Sequence, residues 1–348
     1  MRLIDSHAHL QADAFAADAD LVLGAARLAG VERLLAPGWD LASSRDSVAL
    51  AERWPRVDAS AGIHPHAAAT VDEAMWEAIE TLARDERVVA IGETGLDYDR
   101  GFAPREAQLL NLRRHLALGQ ELGKPVILHC RSRPGEGDAQ NDLLRELTSA
   151  DVDGSDARSR LQGRPPALLH SFSGSVDYGE QALALGLAIS FSGLVFRRGE
   201  ESSAIVARLV PAERLLVETD SPYLSPPGAP RRRNEPRWVE VTARWLAEQR
   251  GVDLDVLGEG LVDAYDRTFD KPAPKPDRPR AGSRRLPALL QRGACPHRSA
   301  DQGSDPPGGS CRSAQDEAEM TEMRRYISGA VQLRVTRSLA VHNDGIRD

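Results

Sequence analysis

The chain has 348 residues, 41% of them hydrophobic, so it is long enough to bury the core of one large α/β domain or two ordinary ones. Lysine and arginine number 44 against 52 aspartate and glutamate residues, and the formal charge of −8 excludes a global positive field for holding a polyanion. Three cysteines without disulfide spacing, and no apolar run near the ~18 residues of a membrane span, predict a soluble cytoplasmic protein that uses no membrane.

Eight short apolar runs recur along the first 270 residues, and stretches such as 74–86 and 104–123 between them show helical periodicity. The runs begin at Leu3, Val31, Val57, Val88, Pro125, Pro166, Leu187 and Leu215. Strands that alternate with helices and are apolar on both faces are typical of a parallel sheet covered by helices. Eight such units within about 270 residues predict a (β/α)8 TIM barrel.

Two segments depart from this rhythm. Residues 131–166 contain one helical piece, NDLLRELTSA, between polar stretches, so we expect a long, mobile loop after the fifth strand. Residues 271–348 contain 14 Lys or Arg and 9 Asp or Glu, a net charge of +5 that leaves −13 for residues 1–270. Only 10 of these 78 residues are Leu, Ile, Val or Phe. We therefore predict a barrel domain over residues 1–270 and a disordered extension over residues 271–348.

Two weaker patterns fall in this extension. The run VQLRVTRSLAV alternates and could form a strand. A zinc site is disfavoured because the spacing of its candidate ligands fits no standard pattern: Cys295, His297, Cys311 and His342.

Histidines and carboxylates collect at the carboxyl ends of the predicted strands. His7 and His9 are two residues apart at the end of the first strand, so both point to the same side. The later strands end at His64, Glu93, His129, His170 and Asp220. In a barrel these ends converge on the rim where active sites lie. Seven imidazoles and carboxylates gathered there predict a divalent metal site, because neutral imidazole and ionised carboxylate are normal metal ligands.

Each residue also has a structural interpretation when it is taken alone. A single strand-end histidine is more often a hydrogen-bonded structural group, and a single aspartate often caps a helix. The common register of all seven favours the metal site. Glu218 lies two residues before Asp220 on the same face and either supports a ligand or fills a deeper layer of the barrel. His66 and His115 are interpreted as surface or helix residues without a role.

The motifs DSHAHL, GIHPH, IGETGLDY, VILHCR, HSFSG, ISFSG and ETDSPYL, in this order and spacing, resemble the TatD-type metal-dependent deoxyribonucleases and hydrolases of the amidohydrolase-like barrel superfamily. The resemblance spans roughly residues 3–270. It implies a two-metal site in which one ion is bound by His7, His9 and Asp220, the second by His129 and His170, and Glu93 bridges the two. It also implies that His64 stands beside the metals and that residues 230–236 form part of a substrate loop.

Two features of the chain refine this resemblance. Many relatives in the superfamily bridge their metals with a carboxylated lysine at the end of the fourth strand. The chain has three lysines, Lys124, Lys271 and Lys275, and none is at that position, so Glu93 is the expected bridge. The loop after His129 also departs from the short run of relatives, so we expect an altered cleft wall there.

The expected cofactors are two divalent ions, Zn, Mn, Mg, Co or Ni, with mixed nitrogen and oxygen ligation less suited to Mg. Such a pair activates water and holds the oxygens of a phosphodiester. Asp220 is the expected general base, and His64 and Arg131 are expected to contact the phosphate. Arg131 equally fits a salt-bridging loop residue. Arg233 and Asn234 are expected to bind substrate, although residues 231–233 also fit a solvated basic loop.

These features leave three hypotheses about function. The first is a two-metal hydrolase of phosphodiesters, a deoxyribonuclease that degrades DNA from 3′ to 5′ at single strands or damaged ends. The second is a metal-dependent ester or amide hydrolase, such as a deacylase of mischarged aminoacyl-tRNA. The third is a non-catalytic barrel whose positive extension binds an acidic partner. A nuclease needs a path for a strand after the fifth and eighth strands, whereas a deacylase needs a closed pocket.

Overall fold

The structure, a computed structural model, describes residues 1–269. The expected disorder of residues 271–348, the strand considered there and the disfavoured zinc ligands lie outside the described residues, and the domain boundary at residue 270 remains a prediction. The eight strands are β1 Leu3–Asp5, β2 Val31–Ala36, β3 Val57–Ala61, β4 Val88–Asp97, β5 Val126–Arg131, β6 Ala167–Leu169, β7 Ala188–Phe191 and β8 Leu215–Val217.

Helices follow the strands along the chain. The α-helices of the described residues are α1 Ala19–Leu28, α2 Leu41–Arg53, α3 Glu73–Ala83, α4 Arg105–Leu122, α5 Asp138–Ser149, α6 Ser155–Leu161, α7 Val176–Ala184, α8 Ser202–Leu209, α9 Val239–Arg250 and α10 Leu254–Phe269. Short 3-10 helices span Asp13–Phe15, Pro65–Thr70, Gly193–Phe196, Ala212–Arg214 and Pro236–Trp238. Across residues 1–269, no helix combines the length and the apolar character that a membrane crossing requires.

The strands pair in parallel and in chain order from β1 to β8. Main-chain hydrogen bonds also join the first strand to the last: the Ser6 amide donates to the Val217 carbonyl at 3.0 Å, and the Asp220 amide donates to the His7 carbonyl at 2.9 Å. This closed ring confirms the predicted (β/α)8 barrel. It also places the carboxyl ends of all eight strands around one rim.

Apolar side chains on both faces of the strands explain why this sequence closes into a barrel. Ile127, Leu168 and Ile189 are fully buried and belong to one core cluster that includes residues of the surrounding helices. Burial of each such side chain contributes about 1.5–3 kcal/mol relative to an exposed position. Polar caps fix where the helices begin: Asp40 and Ser43 form a reciprocal capping box at the start of α2.

The segment after β5 differs from the prediction of a single helical piece in a long loop. It contains two helices, α5 and α6, and only residues 132–137 separate β5 from α5. The sequence of α6, SDARSRL, buries only Ala157 and Leu161. Two apolar residues in seven give too weak a periodicity to reveal a helix from the sequence.

Candidate metal centre and cleft

The structure brings together all seven residues that the strand-end pattern selected. His7 and His9 follow β1, His64 follows β3, and the remaining four lie on or after later strands: Glu93, His129, His170 and Asp220. We call these seven residues the candidate metal centre. Two positions correct the prediction, because Glu93 lies in the middle of β4 and His129 lies within β5 rather than at their ends.

Glycine allows β4 to bring Glu93 beside His129. Gly95 has a φ of +132°, a conformation that side-chain-bearing residues rarely adopt. A Cβ atom at this position would lie 2.0 Å from the carbonyl oxygen of His129. Only glycine at position 95 therefore allows β4 and β5, the strands that carry Glu93 and His129, to lie this close together.

The first half of the centre surrounds one oxygen of Glu93. His7 Nε2 lies 3.3 Å from Glu93 Oε2 and 3.3 Å from His9 Nε2. His9 Nε2 lies 3.2 Å from Asp220 Oδ1. Asp220 has a φ of 52°, in the left-handed region that aspartate tolerates better than most residues. Two imidazole nitrogens and two carboxylate oxygens thus converge on one point.

The second half surrounds the other oxygen of Glu93. His170 Nε2 lies 3.0 Å from Glu93 Oε1, and His129 Nδ1 lies 3.3 Å from it. His64 Nε2 is also 3.3 Å from this oxygen. The Glu93 carboxylate therefore offers one oxygen to each half of the centre, which is the geometry of a bridging ligand.

These separations suit divalent metal ions. Metal–nitrogen and metal–oxygen bonds of about 2.0–2.2 Å place neighbouring ligand atoms roughly 3.0–3.5 Å apart. Most of the donor-to-donor distances around each Glu93 oxygen fall in or near this interval. Donor sets of imidazole and carboxylate match transition-metal ions and zinc. The residues present thus fit the metal ions that the sequence predicts.

Burial and mutual charge set the protonation of the centre. Burial lowers the pKa of His64 to about 4, and burial together with the charge of His170 lowers the pKa of His7. Burial acts to raise the pKa of Glu93, but the charges of His170, His64 and His7 hold it well below the usual range. Burial acts to lower the pKa of His170, but the charge of Glu93 and the hydrogen bond with Glu218 raise it well above the usual range, so His170 must lose a proton before it can bind a cation.

Glu218 contacts the candidate metal centre and resolves the alternative left open by the sequence. The carboxylate is fully buried, and its Oε1 lies 3.2 Å from His170 Nδ1. The amide and the hydroxyl of Ser171 both donate to the same oxygen at 2.7 Å. Burial acts to raise the pKa of Glu218, but its hydrogen bond with His170 and the charge of His170 lower it to about 2. An ionised Glu218 thus orients His170 toward Glu93.

Asp97 plays a similar part for His129 and was missed in the sequence. Its Oδ2 lies 3.2 Å from His129 Nε2 and 2.8 Å from His66 Nε2. Burial acts to raise the pKa of Asp97, but its hydrogen bonds with His129 and His66 hold it well below the usual range. The alternation of strand side chains could have revealed Asp97, because it lies four residues after Glu93 and on the same face. His66, given no role from the sequence, touches this carboxylate.

Asp5 is a second buried carboxylate that the sequence analysis missed. Thr219 donates to it through its amide at 3.0 Å and its hydroxyl at 2.6 Å, and the His7 amide donates at 3.3 Å. Burial raises the pKa of Asp5 to about 8. Asp5 thus ties the end of β1 to the chain after β8 and fixes the backbone that carries His7.

His115 lies in α4, as the helical interpretation expected, and its imidazole is fully buried. Its Nδ1 is 2.7 Å from the Asn111 carbonyl, and its Nε2 accepts the Ile63 amide at 2.9 Å. Burial lowers the pKa of His115 to about 4, so the imidazole is neutral at pH 7. This histidine stabilises the turn that leads to His64.

The residues expected to bind substrate separate in the structure. Arg131 lines the cleft above the centre, with its Nη1 3.8 Å from Asp97 Oδ2. Asn234 is a correction: it is fully buried, and its amide donates to the carbonyls of Thr219 at 2.9 Å and Tyr223 at 2.8 Å. Its side chain holds the loop after β8 together and is closed to a substrate.

Arg233 also points away from the cleft. Its guanidinium donates to Asp18 and lies over the ring of Phe15, 5.1 Å from the ring centroid. Neither Arg233 nor its neighbours at 231 and 232 line the large cleft. Because Arg233 pairs with Asp18, 215 residues away in sequence, its positive charge does not lie in the cleft where substrate binding was expected.

An open cleft of about 1080 Å³ lies above the candidate metal centre. Its floor includes His9, His64, Glu93, His170 and Asp220. Its walls contain the carboxylates of Asp99, Glu136 and Glu200 and four arginines: Arg100, Arg131, Arg133 and Arg198. Only Arg131 was selected from the sequence. The other three arginines lie in the loops after β4, β5 and β7. The sequence could have indicated them, because loops that follow the strands of a barrel all lie at the same rim.

Comparisons with known proteins agree with this geometry. The model of the family described as TatD related DNase matches residues 4–270. The 3'-5' ssDNA/RNA exonuclease TatD of Klebsiella pneumoniae is 38% identical over 273 residues, which cover 77% of this chain and 97% of the relative. The protein of the same name from Pectobacterium atrosepticum is 36% identical and covers 77% and 99%.

A solved structure gives the same result. The crystal structure of a TatD homologue from Escherichia coli K12 superimposes with a TM-score of 0.67 at 26% sequence identity. The match covers 78% of this chain and 99% of that protein. A TatD family hydrolase from Entamoeba histolytica, at 22% identity and a TM-score of 0.67, shows the same fold.

Proposed function

The chain belongs to the TatD related DNase family of metal-dependent hydrolases, and from this premise we propose that it is a 3′ to 5′ exonuclease of single-stranded nucleic acid. The observation that carries the proposal is the pair of donor groups that share the Glu93 carboxylate on the floor of an open cleft. The names of the relatives support the direction and the single-stranded substrate.

We propose two divalent ions at the centre, one on each oxygen of Glu93. His7, His9 and Asp220 would hold the first ion, and His129 and His170 would hold the second. Such a pair of ions supplies a water of near-neutral pKa and neutralises the charge on the oxygens of a phosphodiester. The sequence and the donor set favour Zn, Mn, Co or Ni over Mg.

The side chains around the centre have separate roles in this reaction. Asp220 accepts the proton of the attacking water, because its Oδ1 lies at the edge of the centre and the side chain faces the cleft. His64 contacts the scissile phosphate through Nε2, because this neutral imidazole lies beside Glu93 and lines the cleft. Glu218 and Asp97 keep His170 and His129 in the orientations that the ions require.

The arginines of the cleft supply the positive charge that residues 1–270 lack as a whole. Arg131 ends β5, Arg133 and Arg198 lie in the loops after β5 and β7, and all three can pair with the phosphates of a strand. The cleft volume of about 1080 Å³ lies slightly above the range of about 300–1000 Å³ typical of small-molecule pockets. An open, arginine-lined cleft favours a strand over a single small ester, so the deacylase is the second candidate. The proposed binding role of the extension involves residues outside the described part of the chain.

A degradation assay tests the proposal. A 5′-labelled single-stranded DNA oligonucleotide is incubated with metal-stripped protein and then with added Mn, Zn or Mg. We expect a ladder that shortens from the 3′ end only with metal. Asp220→Asn is expected to slow it by at least about 10²-fold, the lower end of the effect of a general base. Asp156→Asn, a matched change at an exposed position on α6, is expected to leave the rate unchanged.

The same assay separates the two enzyme hypotheses. Binding of two equivalents of metal without cleavage of DNA or RNA would refute the nuclease and retain the metal centre. Hydrolysis of an aminoacyl ester under those conditions would establish the ester hydrolase instead. Failure to bind any divalent metal would refute both.

A further inference from the structure

Tyr223 presents an exposed aromatic ring beside the candidate metal centre. The residue is 58% exposed, and its ring centroid lies 5.8 Å from that of His9. It follows Asp220 by three residues and lines the cleft. The ring therefore stands beside the candidate metal centre at the surface of the cleft, where a bound substrate can contact it.

The backbone of Tyr223 is held firmly although its ring is exposed. The Tyr223 amide donates to the Asp220 carbonyl at 2.8 Å, and the Tyr223 carbonyl accepts from the buried Asn234 amide at 2.8 Å. The next residue packs closely as well, because a Cβ atom on Gly193 would lie 1.9 Å from the Leu224 carbonyl oxygen. The ring is thus fixed at its base and free at its face, which is how a preorganised contact surface is built.

Trp39 flanks His9 on the other side. Its ring centroid lies 5.0 Å from that of His9, and its carbonyl accepts the His64 amide at 2.8 Å. Trp39 and Tyr223 together line both the main cleft and a second pocket of about 490 Å³. The two aromatic rings therefore form a wall between the two cavities, directly above the first half of the centre.

We propose that Tyr223 and Trp39 form a stacking platform for the base next to the scissile phosphodiester. The inference rests on the proposed function and deepens it by assigning the residues that select unpaired nucleotides. A base is joined to the sugar beside the phosphate, so a phosphate held at the centre brings a base to rings that contact His9. Stacking accepts any base because every base has a π-face, and it requires a base freed from its neighbours, which favours single strands.

Steady-state kinetics on defined oligonucleotides test the platform. One DNA strand carries a normal 3′ end, and two others carry an abasic residue at the last or the second-last position. We expect Tyr223→Ala to raise KM for the normal strand by about 5- to 150-fold, the range for loss of one base–aromatic stack. Tyr223→Phe keeps the ring and is expected to retain the KM. With the abasic residue at the stacked position, we expect the wild-type protein and Tyr223→Ala to have the same KM.

Phe102→Ala is the matched control. Phe102 is 67% exposed and lies edge-on to His66, but it is not part of the cleft wall. Its replacement is expected to leave KM unchanged. An unchanged KM in Tyr223→Ala, or an equal rise with Phe102→Ala, would overturn the platform while the nuclease stands. If the wild-type protein with metal degrades no strand, the proposed function itself falls, so the two failures are distinguishable.

Fluorescence provides a readout that does not depend on turnover. A strand with 2-aminopurine at the stacked position is bound to metal-loaded Asp220→Asn protein. We expect the fluorescence of the stacked base to be quenched. Introducing Tyr223→Ala as a second substitution in this protein should remove the quenching. Introducing Phe102→Ala instead should leave the quenching in place. Equal quenching in all three proteins would overturn the platform. Thermal unfolding of each variant shows whether it is folded at the assay temperature.

Discussion

Replacement of Glu218 by glutamine should weaken metal binding without disturbing the shape of the site. Glu218 Oε1 accepts from His170 Nδ1 and from the amide and hydroxyl of Ser171, whereas Oε2 lies 3.4 Å from the Ser6 hydroxyl. A glutamine can keep its oxygen toward the first three donors and turn its amide to the Ser6 oxygen. Glu218→Gln therefore removes the negative charge behind His170 and leaves the packing in place.

The expected size of the effect follows from this role. Loss of a carboxylate that orients a metal-binding histidine costs about 10- to 100-fold in metal affinity. This corresponds to about 1.4–2.7 kcal/mol of binding free energy. Isothermal titration of metal-stripped protein with Zn or Mn at pH 7.5 measures it, since the pKa of Glu218 is about 2 and the wild-type carboxylate is ionised there. We expect one of the two ions to bind more weakly and the other to bind as before.

A second buried glutamate provides the control. Glu146 is 7% exposed and accepts two hydrogen bonds from Arg113, at 2.6 and 2.7 Å, away from the centre. Glu146→Gln removes the same charge from another buried position and should leave metal affinity unchanged. Wild-type affinity for both ions in Glu218→Gln would refute the orienting role. An equal loss in both variants would attribute the effect to general destabilisation.

Two further predictions concern stability. The pKa of His115 is about 4 in the folded protein against about 6.5 when unfolded, so its stabilisation is complete above pH 6.5 and is lost as the pH falls toward 4. Between pH 7.5 and 5, urea unfolding of the wild-type protein should lose about 2 kcal/mol more than that of His115→Gln, and equal losses would contradict the assignment. Asn234→Ala leaves the carbonyls of Thr219 and Tyr223 without their donor and should lower the free energy of unfolding by about 2–5 kcal/mol. Asn141→Ala, a change at an exposed position, should leave the free energy of unfolding unchanged. Equal stability of the two variants would refute the anchoring role of Asn234.

The sequence revealed the barrel because its signal is local. A buried parallel strand is apolar on both faces, and a polar residue such as His170 or Glu218 directly after such a run marks the carboxyl end. The eight runs and their end residues therefore located the rim. The end of β4 could not be predicted from local sequence in this way. The strand continues through Glu93 to Asp97, because Gly95 lets it run close beside β5.

What the sequence could not reveal depends on contacts between distant segments. Arg233 was expected at the substrate, but Asp18, 215 residues away, pairs with it. The basic run around Arg233 shows that positive charge is present in this loop. It does not show which way the arginine side chains point. Asp97 was missed because its partners lie in other elements, His66 in the 3-10 helix after β3 and His129 on β5. In each case the role is set by a neighbour that only the closed barrel brings near.

The negative charge of the barrel and a polyanionic substrate are compatible because the decisive carboxylates are buried. Glu93 and Glu218 are almost fully enclosed, and Glu93 meets the cleft only at its floor, among the histidines of the centre. Arg131, Arg133 and Arg198 line the cleft beside the exposed carboxylates of Asp99 and Glu136. In the proposed enzyme, attraction of a phosphate therefore depends on these arginines together with the cations that the buried centre would hold.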